Sequence, residues 1–99
     1  MRRVIWSRDA RDDYLAILRY IASEDPEAAE LVVDAIASAG DNLADFATGH
    51  PGRVSGTYEK SVSGLPYIIA YSLTDGGKAV SILRVIHSSR DWGEDQWPE

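Results

Sequence analysis

Cysteine is absent from the 99 residues. Disulfides and thiolate metal sites are therefore excluded, and the absence is neutral to mildly favourable for a reducing compartment. Histidine is scarce: His50 and His87 stand apart with no ligand spacing around either, so neither a metal nor a cofactor is expected. Long apolar runs are missing too. None approaches the ~20 residues of a membrane span, and the opening Met1-Arg2-Arg3-Val4-Ile5-Trp6 is too short for a signal-peptide core, which predicts a cytoplasmic protein with no membrane contact. Positive charge is in deficit, with 10 Lys and Arg against 16 Asp and Glu and a net charge of -6. Phosphate contacts carry much of the affinity for nucleic acids, so this balance disfavours wholesale nucleic-acid binding. The glycines form no phosphate-binding or dinucleotide-binding pattern, and nothing places a Ser, a His and an Asp together as a nucleophilic triad.

What remains reads as one globular domain over residues 1–99, since 44% hydrophobic and 26% charged residues suffice for a core. Arg3 to Trp6 is short, apolar and β-prone, and predicts a strand. Ser7 is placed to cap a helix ending near Ser23, with Ala10, Tyr14, Ile17, Leu18 and Ile21 as its apolar stripe. Asp25-Pro26 opens a second helix, with Ala29, Val32, Ile36, Ala39 and Leu43 as its seam and Glu27, Glu30, Asp34 and Asp41 on the wet side. The short break between them predicts an antiparallel hairpin. Leu31 falls on the wet side, either as a lone exposed leucine or as part of a partner surface.

Thr48-Gly49-His50-Pro51-Gly52 reads as a loop. Three strands should follow, at about 57–63, 67–73 and 79–87, with Asp75-Gly76-Gly77 as a hairpin signal between the last two. Those two are apolar on both faces, so they should be central and covered. The fold class is thus α+β: a first strand and a two-helix antiparallel hairpin packed on a twisted antiparallel sheet. A short tail from Ser89 to Glu99 carries Trp92, Trp97 and four acidic residues, Asp91, Glu94, Asp95 and Glu99.

The second half contains Gly52-Arg53-Val54, Glu59-Lys60, Pro66-Tyr67-Ile68-Ile69-Ala70-Tyr71 and a closing Ile82-Leu83-Arg84-Val85-Ile86-His87-Ser88-Ser89-Arg90-Asp91-Trp92. Together with the early strand and helix hairpin, this order resembles the ParE/RelE superfamily of bacterial type II toxins, ParE in particular. The closing segment is its most specific piece. The resemblance implies two helices on a twisted antiparallel sheet and an antitoxin that wraps and silences the toxin. It also implies one of two targets: DNA gyrase, poisoned by ParE-like members, or mRNA on the ribosome, cut by RelE-like ones. Fold alone does not choose between them.

Metal-free RNA cleavage needs a base, an acid and cations for the charged phosphorane. Glu59 or Lys60 could be the base, His87 the acid, and Arg53, Arg84 or Arg90 the clamps. Three observations oppose that assembly. Arg84 and His87 are three apart and face opposite sides of a regular strand unless it ends or bulges before His87. The strand at 67–73 has no charge where nuclease relatives place a cation, and Ser88 stands where several place an aromatic. The charge of -6 also suits a ribosome binder poorly. A gyrase poison without catalytic residues is therefore the first expectation, and a RelE-type ribonuclease using Glu59, Arg84 and His87 the second. A non-toxic binding module of the same fold is the third.

Target contacts are expected from Arg53, Arg84, His87, Arg90 and Trp92. Blander roles are open to each: Arg84 pairing with Glu59, His87 satisfied at a strand end, Arg53 steadying its loop, Trp92 sealing the sheet. A ParD-like antitoxin is expected to bind Leu15, Leu31, Tyr67, Tyr71 and Trp92, laying an apolar segment along the helix hairpin or the open sheet edge. Tyr67 and Tyr71 share one strand face and could equally pack on the core. DNA would be touched only through the antitoxin.

Overall fold

A computed structural model gives the coordinates, and it describes residues 2–47, 49–52 and 54–88. Strand β1 (Arg3–Trp6) alternates, with Val4 and Trp6 packed on the core and Ile5 half exposed. Ser7 then turns the chain from strand to helix. Its hydroxyl accepts the Ala10 N–H at 3.0 Å and donates to the Leu83 carbonyl at 2.9 Å, while its own N–H donates to the Ile82 carbonyl at 2.9 Å. One residue therefore caps α1 (Arg8–Ala22) and ties the start of that helix to the sheet. Asp25 caps α2 (Pro26–Asn42) by accepting the Ala28 N–H at 3.1 Å, with Pro26 in the first turn, where its missing N–H costs nothing.

Helix α2 is buried over a wider arc than its predicted seam. Val32, Ile36, Ala39 and Leu43 pack in the core, and Ala29, Val33 and Gly40 are buried as well. That width follows from packing on α1 and on the sheet at once. Gly40 makes the closest approach. A Cβ there would stand 2.4 Å from Trp6 Cζ2 and 3.0 Å from Ile82 Cδ1. Trp6 is held in turn by the edge of Tyr14, with ring centroids 6.1 Å apart.

The sheet runs β1, β5, β4, β3, β2, with β2 (His50–Pro51), β3 (Tyr58–Ser61), β4 (Tyr67–Thr74) and β5 (Ala79–His87). β3, β4 and β5 form the expected antiparallel meander, and β4 and β5 lie centrally. The turn Asp75–Gly77 has φ of 53°, 63° and 87° at successive residues, a left-handed run that glycine at the last two positions makes accessible. Two features differ from expectation. β1 joins β5 in parallel, so the sheet is mixed, because the helix hairpin carries the chain over the sheet before it returns. His50 and Pro51, expected in a loop, pair with Glu59 and Tyr58. A two-residue edge strand has no periodicity to read, and an edge is where a strand proline is tolerated.

β5 carries a phase change. Ala70 pairs with Arg84 but Tyr71 with Ile82, leaving Leu83 as an extra residue. Val80 and Ile82 before it and Val85 after it all enter one core cluster, which a regular strand of alternating sides cannot achieve. β1 ends opposite Ile82, so beyond Leu83 the outer margin of β5 has no strand partner among the described residues. Asp13 of α1 takes that place. Its Oδ2 accepts the Val85 N–H at 3.0 Å and Arg84 Nε at 2.7 Å, and its Oδ1 accepts Arg84 Nη2 at 2.9 Å.

Two stability predictions follow from these contacts. Gly40→Ala gains about 1 kcal/mol of helix propensity but overpacks the Trp6 ring at a cost of about 1–3 kcal/mol, so thermal unfolding should move to lower temperature. An unchanged or higher midpoint would show that the Trp6 seat is loose. Asp13→Ala should cost about 2–4 kcal/mol in denaturant unfolding, because it removes the bidentate carboxylate from Arg84 and the acceptor of the Val85 N–H together. Asp13→Leu with Arg84→Met should recover part of that loss.

Candidate functional site

The helices define one face of the sheet. Residues of both join a single cluster with Ile69, Tyr71 and Val85, so these side chains point toward the helices. Alternation then assigns Tyr67 and His87 to the same face, and Ala70, Arg84 and Ile86 to the opposite one.

On the opposite face a row crosses four strands: His50 opposite Glu59, Glu59 opposite Ala70, and Ala70 opposite Arg84. Directly opposed residues share a face. Two of the three candidate nuclease residues, Glu59 and Arg84, therefore stand in one line with the small Ala70 between them. Glu59 is 3% exposed. Arg84 is held by Asp13 at the sheet margin, and that hydrogen-bonded carboxylate pushes its pKa further up despite partial burial, with Asp9 adding to the field. Its bidentate partner is thus a helix residue, where the sequence had left open a pairing with Glu59 on a neighbouring strand. The reason is topological, since β4 separates β3 from β5.

His87, the third candidate, stays on the helix side. Its ring meets Tyr67 edge-on at 5.5 Å. The bulge at Leu83 precedes Arg84, and from Arg84 to His87 the pairing with β4 is regular, so the bulge does not bring the two together. Lys60 likewise faces away from Glu59, opposite Ile69. Of the three nuclease candidates, His87 thus lies on the opposite sheet face from Glu59 and Arg84. β4, Tyr67–Thr74, contributes no charged residue. Arg53, Arg90 and Trp92 lie outside the described residues.

The helix-side face opens into a groove of about 650 Å³ between α2 and β3. Ala39, Leu43 and Val62 give it an apolar base, and Phe46 and Lys60 flank it. Phe46 is 72% exposed. Leu31 is 73% exposed and lies one turn from the lining residue Ala35, so it extends the groove along α2. Leu15 is exposed on α1. Tyr67 is half-buried against the core. Tyr71 corrects the expectation of an antitoxin contact: it is 1% exposed and stacked on Tyr58 at 5.6 Å, out of reach of a partner. Burial, then the neighbouring Tyr58, raise its phenol pKa above the usual tyrosine value, with Arg2 opposing.

Sequence reasoning missed Asp13, His50 and Phe46. Asp13 falls between the apolar stripe and the polar side of α1, and its role depends on where β1 stops. His50 needed the edge pairing. Phe46 lies just past the helix end, where periodicity no longer reports orientation. Among the described residues, no three His, Cys, Asp or Glu side chains group as a metal site, and no helix is long and apolar enough to cross a membrane.

Comparison with known proteins gives this geometry a family. The family model for the ParE toxin of the type II toxin–antitoxin system parDE matches residues 4–92. Y4kP of Sinorhizobium fredii is 38% identical over 92 residues, covering 92% of this chain and 93% of that protein. Toxin RelE2 of Caulobacter vibrioides is 34% identical over 91 residues, covering 91% and 99%. Among solved structures, a chain of the chromosomal ParDE system from P. aeruginosa superposes with a TM-score of 0.80 at 26% identity, covering 88% of this chain and 96% of that one. A family match across nearly the whole chain, on the architecture of a solved relative, shows that this protein belongs to the ParE toxin family of type II toxin–antitoxin systems.

Proposed function

We propose that the protein acts in the cytoplasm as a poison of DNA gyrase and is held silent by a ParD-like antitoxin. The observation that carries this reading is the separation of the nuclease candidates: Glu59 and Arg84 on one sheet face, His87 on the other, with β4 uncharged between their strands. A protein-binding poison needs no convergent acid and base. It needs a rigid surface with anchors, which a sheet margin clamped by Asp13 supports. Target contacts are assigned to Arg53, His87, Arg90 and Trp92. Arg84 enters through its clamped position rather than as a free cation.

The antitoxin is assigned to the α2–β3 groove, with Leu31 and Phe46 as exposed apolar anchors. The toxin's charge of -6 favours an antitoxin segment that is basic, at least locally. DNA would then be met through the antitoxin alone. Mycobacterium tuberculosis RelBE2, solved as a toxin–antitoxin complex, superposes on this chain with a TM-score of 0.55 at 25% identity and supports the assignment of such a partner.

A second reading is ribosome-dependent mRNA cleavage. The shared row of Glu59 and Arg84 favours it, as does the similarity to a relative named RelE2. One assay series separates the two. Purified toxin should inhibit supercoiling by gyrase or accumulate cleaved DNA–gyrase complexes, and premixed antitoxin should restore activity. Leu31→Asp or Phe46→Ala should raise the antitoxin needed about tenfold, equivalent to 1.4 kcal/mol, with poisoning unchanged. Unaffected gyrase, together with mRNA cut in a translation mixture, would replace this reading with the second.

A further inference from the structure

The flank of α2 that turns away from the α2–β3 groove borders a second hollow, of about 500 Å³. Trp6, Arg11, Tyr14, Ala37 and Asp41 line it. Trp6 and Tyr14 are both half-buried, and their edge-to-face contact at 6.1 Å fixes one ring against the other. Gly40, beside Asp41, leaves its own space to the Trp6 ring, which would stand 2.4 Å from a Cβ there. The aromatic surface is therefore held in place before any partner arrives. The walls carry opposite charges, Arg11 from α1 and Asp41 from α2. Among the described residues no ion pair engages either, so they line the hollow without bridging it. Asp41 lies in the last turn of α2, a turn without a basic residue. A carboxylate there adds to the negative end of the helix dipole instead of relieving it. Glu30, Asp34, Ala37 and Asp41 recur at four, three and four residues and share this flank, so two more exposed carboxylates continue it along α2.

We infer that this hollow accepts an arginine side chain carried by a basic partner protein. The guanidinium lies over the Trp6 and Tyr14 rings and donates to the Asp41 carboxylate. Arginine suits the hollow better than lysine, because its flat head stacks on a ring while its edge still donates. Arg11 opposes a free cation, but its guanidinium donates to a main-chain carbonyl, which favours an arginine presented on a peptide. Leu15 is exposed one turn along α1 from Arg11 and offers an apolar landing for a neighbouring side chain of that peptide. Glu30 and Asp34 draw further basic residues of the same segment along α2. The inference rests neither on which target the toxin attacks nor on what fills the α2–β3 groove.

The test is an NMR titration of the full chain with acetyl-arginine amide, followed at the Trp6 indole N–H. The expected result is a saturable shift in the millimolar range, with acetyl-citrulline amide, the neutral isostere, binding about tenfold more weakly. Asp41→Asn should weaken arginine binding by a similar factor. Asp12→Asn, which removes the same charge outside the hollow, should leave it unchanged. Both positions are exposed, and thermal unfolding of each variant checks that the fold is kept. A Trp6 signal that does not move would overturn the proposal, as would citrulline binding as well as arginine. A loss on Asp41→Asn no larger than on Asp12→Asn would overturn it too, because the attraction would then belong to the net charge and not to the hollow.

Discussion

Asp13 is the side chain on which the rest of the site depends. β1 is only four residues long and stops opposite Ile82. β5 runs on for five more residues with its outer margin unpaired by any described strand. An open margin on a central strand is costly, since its N–H groups lose water when the helices pack over it. Asp13 answers one of those groups at Val85 and simultaneously fixes Arg84, with both side chains less than a fifth exposed. The helix that provides it is itself anchored by Ser7 to Ile82 and Leu83. Two adjacent turns of chain thus support the margin beyond the end of β1, and the bulge at Leu83 marks where one mode of support gives way to the other.

That arrangement divides the functional surface. On the helix side, α2 and β3 leave an apolar groove edged by exposed aromatic and aliphatic side chains, the kind of feature an amphipathic protein segment fills. On the far side, Glu59 and Arg84 share a row, but the carboxylate is buried and the guanidinium is committed to Asp13. The regular pairing beyond the bulge keeps His87 away from both. The strand register therefore carries Glu59, Arg84 and His87 without bringing all three to one face. The distinction lies in phase along one strand, and composition alone does not reveal it.

The sequence carried the fold well where local signals were strong. Ser7 and Asp25 announced both helix starts, and Asp75-Gly76-Gly77 announced the hairpin that sets the β4–β5 register. Alternation within β1 and the apolar character of β4 and β5 placed the core. It carried less where the outcome depended on a distant element. Nothing local to Gly40 shows that Trp6 occupies the space of its absent Cβ. Asp13 has meaning only against the end of β1, and Tyr71 reads as a possible contact until Tyr58 and the core enclose it. The parallel sense of β1 and the two-residue β2 depend on chain path and edge pairing, neither of which leaves a periodic trace.

The most direct test of the central claim is to induce the protein in cells without its antitoxin and pulse-label DNA and protein synthesis over the first minutes. The account predicts that DNA synthesis falls first, with induction of the DNA-damage response while translation continues. Early arrest of protein synthesis with fragmented mRNA would contradict it and would return Glu59, Arg84 and His87 to the centre of the mechanism.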